Sequence, residues 1–295
     1  MTNLQEVKFA KKIGIELTFI PKVVVPELDE SPHNYGWHKL TKFYKAAAVA
    51  EKLRGANKIY CDPGCIEYPS PILKDWKTTQ EWFEGATDLG KMMELVTTHP
   101  KQENGMGHIH ISCNAYERSM MIFESVFRPY LSWLFASPIS QEFCRSTLGS
   151  FLRSGTDYCV VPRKGCDHEY HGNSGVWSRF VAFAPRSDLD TMEIRMFDSA
   201  KDWRQQEEHV AFAQRLYALA MKRKPGETIL DGFPVVHSND RLKLLQFRMD
   251  CYRNSIDLCI REYKELIETL GLPWNRYKRY IDKNLVPAFE HGELL

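Results

Sequence analysis

Thr191-Met-Glu-Ile-Arg-Met-Phe-Asp198 is the stretch on which the reading of this chain turns. Taken as a strand, its period of two sends Met192, Ile194 and Met196 to one face and Glu193, Arg195 and Phe197 to the other. A carboxylate and a guanidinium then share a face, backed by three large apolar side chains. Standing alone, the pattern fits any solvated sheet surface. Three earlier segments repeat it. In His108-Ile-His-Ile-Ser112, His108, His110 and Ser112 share a face, while Ile109, Ile111 and the following Cys113 turn to the core. In Cys65-Ile-Glu-Tyr-Pro69, Glu67 points away from Ile66 and Tyr68. In Gly14-Ile-Glu-Leu-Thr18, Glu16 and Thr18 oppose Ile15 and Leu17.

Working outward from these strands, residues 13–19 read as the first strand and 59–68 as a pair turning at Asp62-Pro63-Gly64. Residues 180–184 form a strand that turns at Pro185-Arg-Ser-Asp188 into the opening stretch. Helical spacing runs over 37–56, over 78–98 with Thr78 and Glu81 as a capping box, and over 117–136. It returns over 204–224, with Ser199 to Asp202 as its cap region, and through most of the chain beyond Ser238 apart from a break at Gly271-Leu-Pro273. Residues 20–36 and 148–177 read as loops. Short strands with helices inserted between them predict an α+β fold with a largely antiparallel sheet. The expected division is a catalytic unit over 1–235 and a helical C-terminal portion over 236–295 packed on it.

The 295 residues suffice for a substantial core, and 43% hydrophobic with 26% charged residues is a globular composition. The balance of 39 basic and 38 acidic residues gives a net charge of +1, which argues for neither nucleic acid nor an acidic surface. The N-terminus lacks an apolar signal-peptide core and no run is long enough to span a membrane, so the expectation is cytoplasmic. Eight cysteines without a CxxC pair read as reduced thiols. The Cys166-x-His168-x2-His171 spacing, with Cys159 nearby, matches no strong zinc pattern; that loop, with Arg163 and Lys164, reads as bordering a site. Basic residues among the last fifty read as a solvated helix face.

An amphipathic antiparallel sheet would account for charged groups on one face. The residue choice goes further, because Glu and His are concentrated where Lys, Thr and Gln would serve a solvated surface. Carboxylates suit hard divalent cations and an imidazole shifts the preference toward Mn²⁺, with Mg²⁺ still admitted. An arginine beside such a cluster matches phosphate oxygens bidentately.

The ordered segments GIEL, DPGCIEYPSP, NGMGHIHIS, SRF and TMEIRMFD resemble the glutamine synthetase superfamily, and within it the small amidoligases, carboxylate–amine ligases related to glutamate–cysteine ligase. The resemblance spans residues 13–198. It implies a curved, mostly antiparallel sheet binding ATP and Mg²⁺ or Mn²⁺. It also implies a reaction in which a small-molecule or peptide carboxylate is phosphorylated and an amine attacks the acyl phosphate. By the same resemblance Glu16, His108 and Glu193 would hold the metal on the ATP phosphates, and Glu67 would belong to a neighbouring metal site. His110 and Arg195 would contact phosphate, and Arg179 would neutralise charge on the transferred group. The family often has Glu-x-Glu on its first strand. Thr18 stands at the second of those positions, so the second metal site lacks an acid there, for which Asp62 is a candidate substitute. Other classes stay open on sequence: a guanidino-phosphotransferase, a metal-dependent hydrolase, or a non-catalytic nucleotide-binding or assembly protein. A homo-oligomer is admitted, but no interface is legible.

Overall fold

The computed structural model describes residues 4–21, 60–62, 65–92, 95–98, 106–114, 116–118, 120–121, 130–136, 183–186, 189–223, 251–252 and 254–290. Seven strands appear among them: β1 (Ile13–Pro21), β2 (Tyr60–Asp62), β3 (Cys65–Pro69), β4 (Leu95–Val96), β5 (Met106–Ser112), β6 (Phe183–Arg186) and β7 (Thr191–Asp198). They join in the order β2-β3-β1-β5-β7-β6, with β4 paired to one end of β1, and every pairing is antiparallel. With the helices below, this is a mixed helix and antiparallel-sheet architecture of the α+β class.

The alternation read from the sequence explains why the sheet has two unlike faces. Ile13, Ile15, Leu17 and Phe19 of β1 are all buried, as are Ile109 and Ile111 of β5 and Met192 and Ile194 of β7. They share one core with α1 (Trp76–Met92) and α3 (Trp203–Ala220), which bury Trp82, Phe83 and Ala86, and Val210, Phe212, Ala213 and Leu216. A Cβ on Gly90 of α1 would lie 2.6 Å from Cε1 of Phe19, so glycine sets how closely that helix approaches β1.

The helix starts follow side-chain chemistry. The capping box expected at Thr78 is not the start of α1; Asp75 takes that part, its Oδ1 accepting from the Thr78 backbone N–H at 2.8 Å. An aspartate three residues earlier already satisfies the free amide, and the Thr78 hydroxyl donates back to it. The helix also stops before Val96, which pairs with Ile20 as part of β4. Asp202, within the expected cap region, accepts from the Gln205 N–H at 2.9 Å and starts α3. Of the helix expected over 117–136, the described residues include the short α2 (Leu131–Phe135), every residue of which is buried. The helix expected over 37–56 and the loop over 148–177 lie outside the described residues.

The C-terminal helices share this core. In α4 (Ile256–Thr269), Ser255 caps the first turn, accepting from the Leu258 N–H. The break expected at Gly271 is a closed helix end: Gly271 has φ 65°, its N–H donates to the Glu268 carbonyl, and Leu272 N–H donates to Ile267. Beyond it come α5 (Trp274–Tyr277), a π-helical turn (Ile281–Leu285) and α6 (Val286–Glu290). Phe135, Phe197, Phe212 and Tyr280 meet edge-on or tilted in a single aromatic cluster, and Asn284 donates to the Leu134 carbonyl. Among the described residues no helix is long and apolar enough to cross a membrane.

Candidate metal centre

Three neighbouring strands bring the acidic and imidazole side chains together on the face away from α1 and α3. Register does this directly. Glu16 of β1 stands opposite His108 of β5, and His110 of β5 stands opposite Glu193 of β7. Partners across an antiparallel pair point to the same face, so the alternation in each strand and the pairing between them reinforce one another.

One irregularity shapes the site. Ile109 pairs with Ile194 and Gly107 with Phe197, which leaves His108 alone opposite both Arg195 and Met196. This extra residue in β7 is a bulge, and it reverses the alternation beyond it. Phe197, expected beside Glu193 and Arg195, therefore turns to the core, where it stacks on His209 with ring centroids 4.4 Å apart. The backbone closes tightly at this point: a Cβ on Gly107 would lie 2.8 Å from the Asp198 carbonyl oxygen and 3.0 Å from the Ser199 Cα. Only glycine fits there.

The resulting cluster is dense. His108 Nδ1 lies 2.9 Å from Glu193 Oε1 and 3.2 Å from Glu16 Oε2, bridging the two carboxylates. His110 Nε2 lies 3.3 Å from Glu16 Oε1, and its Nδ1 is 3.2 Å from the Thr191 hydroxyl. Arg195 Nη1 donates to Glu193 Oε1 at 2.9 Å and Arg186 Nη1 to Oε2 at 3.3 Å. Glu193 is 1% exposed, so its charge is sustained by these partners and not by water. Burial pushes its carboxyl up, but the charges of His108 and Arg195 outweigh that and hold it well below the usual carboxylate range. Burial likewise raises Glu16, and hydrogen bonds from His108 and His110 bring it far below the ordinary value. For His108, burial and Arg195 press the imidazole down, but the two glutamates prevail and raise it. Both carboxylates are thus ionised and available as ligands.

Glu16, His110 and Glu193 each offer one donor atom, all within 4.8 Å of one another. Two carboxylate oxygens and an imidazole nitrogen are a donor set for Mg²⁺ or Mn²⁺. The Nε2 atom of His108 and the Nε of Arg195 are buried without a hydrogen-bond partner among the described residues, so the face has unspent polar capacity toward a ligand. The residues fit a divalent cation with an anion beside it.

Of the residues singled out by sequence, Glu16, His108, His110, Glu193 and Arg195 come together here. Glu67 is on β3, one strand farther out, opposite Thr18 of β1 and Tyr60 of β2, and is not among the three clustered donors. Thr18 is buried, and its N–H donates to the Ser199 hydroxyl. Arg179, Arg163, Lys164 and the Cys159, Cys166, His168 and His171 group lie outside the described residues. Two residues that touch the cluster were not foreseen. Arg186 is expected in a turn, because Pro185 reads as a breaker; among the described strands β6 lies at the edge, where a proline costs no ladder bond, and Arg186 stands opposite Thr191 on the polar face. Thr191 lies on the same face two residues before Glu193, a position legible from the alternation alone.

No protein-family model and no curated protein matches the chain. Among solved structures it is similar to one described as a novel glutamine synthase homolog, at 13% identity and a TM-score of 0.44, covering 97% of this chain and 71% of that one.

Proposed function

We propose that the protein is an ATP-dependent carboxylate–amine ligase working on a Glu/His metal site. The observation that carries this reading is the convergence of Glu16, His110 and Glu193 within 4.8 Å beside two guanidinium groups, on a face that buries His110 and Glu193. The ordered motifs from residue 13 to 198 give that cluster its family resemblance.

In this reading Glu16, His110 and Glu193 hold a Mg²⁺ or Mn²⁺ ion. His110 is taken over His108 as the imidazole donor, because it is His110 whose ring nitrogen lies within 4.8 Å of donor oxygens of both Glu16 and Glu193 in one group. When bound, the metal supplies charge neutralisation on the ATP phosphates. Arg195 and Arg186 now spend their donors on Glu193, and they are within reach of phosphate oxygens once a cation shares that carboxylate. His108, held between two acids, keeps them apart and in register. Arg179 is assigned to the transferred phosphoryl group on the resemblance alone, and Glu67 to a neighbouring metal site. The substrates are a carboxylate, activated as its acyl phosphate, and an amine. Positioning and electrostatic stabilisation are most of what phosphoryl transfer requires of a protein.

A non-catalytic descendant that kept the fold is the second reading. It is favoured by Thr18, a buried hydroxyl opposite Glu67 where a second acid would complete another cation site. A thermal-shift titration separates the readings, since a ligand that binds only the native state raises the melting temperature. A shift with ATP and Mg²⁺ or Mn²⁺ together that exceeds the shift with metal alone supports the ligase, and phosphate release on adding an acid and an amine would complete the case. A shift with metal alone that ATP does not enlarge points to hydrolytic chemistry, and no shift with either leaves the non-catalytic reading.

A further inference from the structure

We infer that Thr191 is a positioning residue for His110: its hydroxyl fixes the ring so that Nε2 is the nitrogen presented to the cation. This rests on the reading of the cluster as a metal centre. Three observations support it. His110 is buried, so neither ring nitrogen can rely on bulk water. Its Nδ1 lies 3.2 Å from the Thr191 hydroxyl, and Nε2 faces Glu16 Oε1 at 3.3 Å within the donor group. The two nitrogens are therefore committed to opposite surroundings, one to an alcohol on the neighbouring strand and the other to the cation site.

A hydroxyl is the group that suits both states of this ring. A coordinating imidazole uses the lone pair of one nitrogen and carries its proton on the other. With a cation at Nε2 the proton is on Nδ1, and the Thr191 oxygen accepts it. Without a cation the proton is better placed on Nε2, toward the Glu16 carboxylate, and the same hydroxyl turns to donate to Nδ1. Valine, nearly the same shape, does neither, and in the metal-bound state it would leave a buried Nδ1–H unpaired. Residues that orient a metal-bound histidine typically contribute about 10- to 100-fold in affinity. The register explains why position 191 is suited to this. His110 stands opposite Glu193, so Thr191 is its diagonal neighbour on the same face of β7, close enough for a short side chain.

The test is calorimetric titration of Mn²⁺ into the wild-type chain, Thr191→Val and Thr191→Ser, with the melting temperature of each measured without metal. Wild-type binding, about 10- to 100-fold weaker binding by Thr191→Val at an unchanged melting temperature, and recovery in Thr191→Ser would support the assignment. Equal affinity in wild type and Thr191→Val would overturn it while leaving the metal centre standing. Loss in both variants would also overturn it, because a restored hydroxyl should rescue. No Mn²⁺ binding by the wild type would remove the metal centre and this inference together. Should the valine variant not fold, nitrogen-15 histidine spectra of the wild type with Mg²⁺ decide the matter: a proton on Nδ1 of His110 supports the inference, and a proton on Nε2 overturns it.

Discussion

Glu193 shows how a buried charge can be kept ready for chemistry. Removing a carboxylate from water costs several kcal/mol, and here His108, Arg186 and Arg195 offset that cost from three directions. His209 is the opposite case. Burial, and then the charge of Arg279, push its imidazole down to about 3 from the usual 6.5, so it is neutral inside the aromatic cluster. The unfolded chain accepts a proton below pH 6.5 that the folded chain refuses until about pH 3, so this group lowers stability as the pH falls through that window. Comparing wild type with His209→Phe isolates the effect. Denaturant unfolding should show the variant gaining about 2 kcal/mol relative to wild type between about pH 7 and about pH 5. Parallel pH profiles would mean that His209 is not held neutral.

At the scale of elements, the bulge in β7 decides the site. It puts His108 across from both Arg195 and Met196, and it sends Phe197 to the core next to α3. Gly107 makes the close crossing possible. Gly107→Ala should cost about 1–3 kcal/mol through the clash with the Asp198 carbonyl, measurable by chemical denaturation. An unchanged midpoint would show that β5 and β7 are looser there than the contact implies. Most strands could be read from their period of two, and so could the face each of Glu16, His108, His110 and Glu193 occupies. Phe197 could not, because a bulge depends on the pairing of two strands and leaves no mark in either sequence. Arg186 was hidden for a related reason: Pro185 breaks a central strand but not an edge, and edge position is a property of the assembled sheet. The start of α1 at Asp75 competes in the sequence with an equally local capping pattern at Thr78, and the aspartate three residues upstream prevails because its carboxylate takes the Thr78 N–H.

For the whole molecule, the C-terminal helices are tied to the sheet layer through one buried acid on α3. Glu208 is fully buried and accepts from Arg276 Nε at 3.0 Å, from the Tyr280 hydroxyl at 2.8 Å and from Arg279, while Arg276 Nη1 also reaches Glu207 at 2.7 Å. The arginines read from sequence as a solvated face thus include two that face inward; helical periodicity marks an apolar stripe well but does not reveal an acid on another helix. Glu208→Gln should lower stability by about 2–3 kcal/mol, because it leaves two guanidinium groups without their shared counter-charge. A loss below about 0.5 kcal/mol would mean that the arginines simply turn to solvent.

The proposed ligase chemistry requires a divalent cation bound between β1, β5 and β7. The measurement that tests this most directly is Mn²⁺ titration, by calorimetry or electron paramagnetic resonance, of the wild-type chain against Glu193→Gln, which removes charge and almost no volume. The prediction is one Mn²⁺ bound by the wild type and at least about tenfold weaker binding by the variant, with the fold retained. Equal binding by both chains, or none by the wild type, would contradict it.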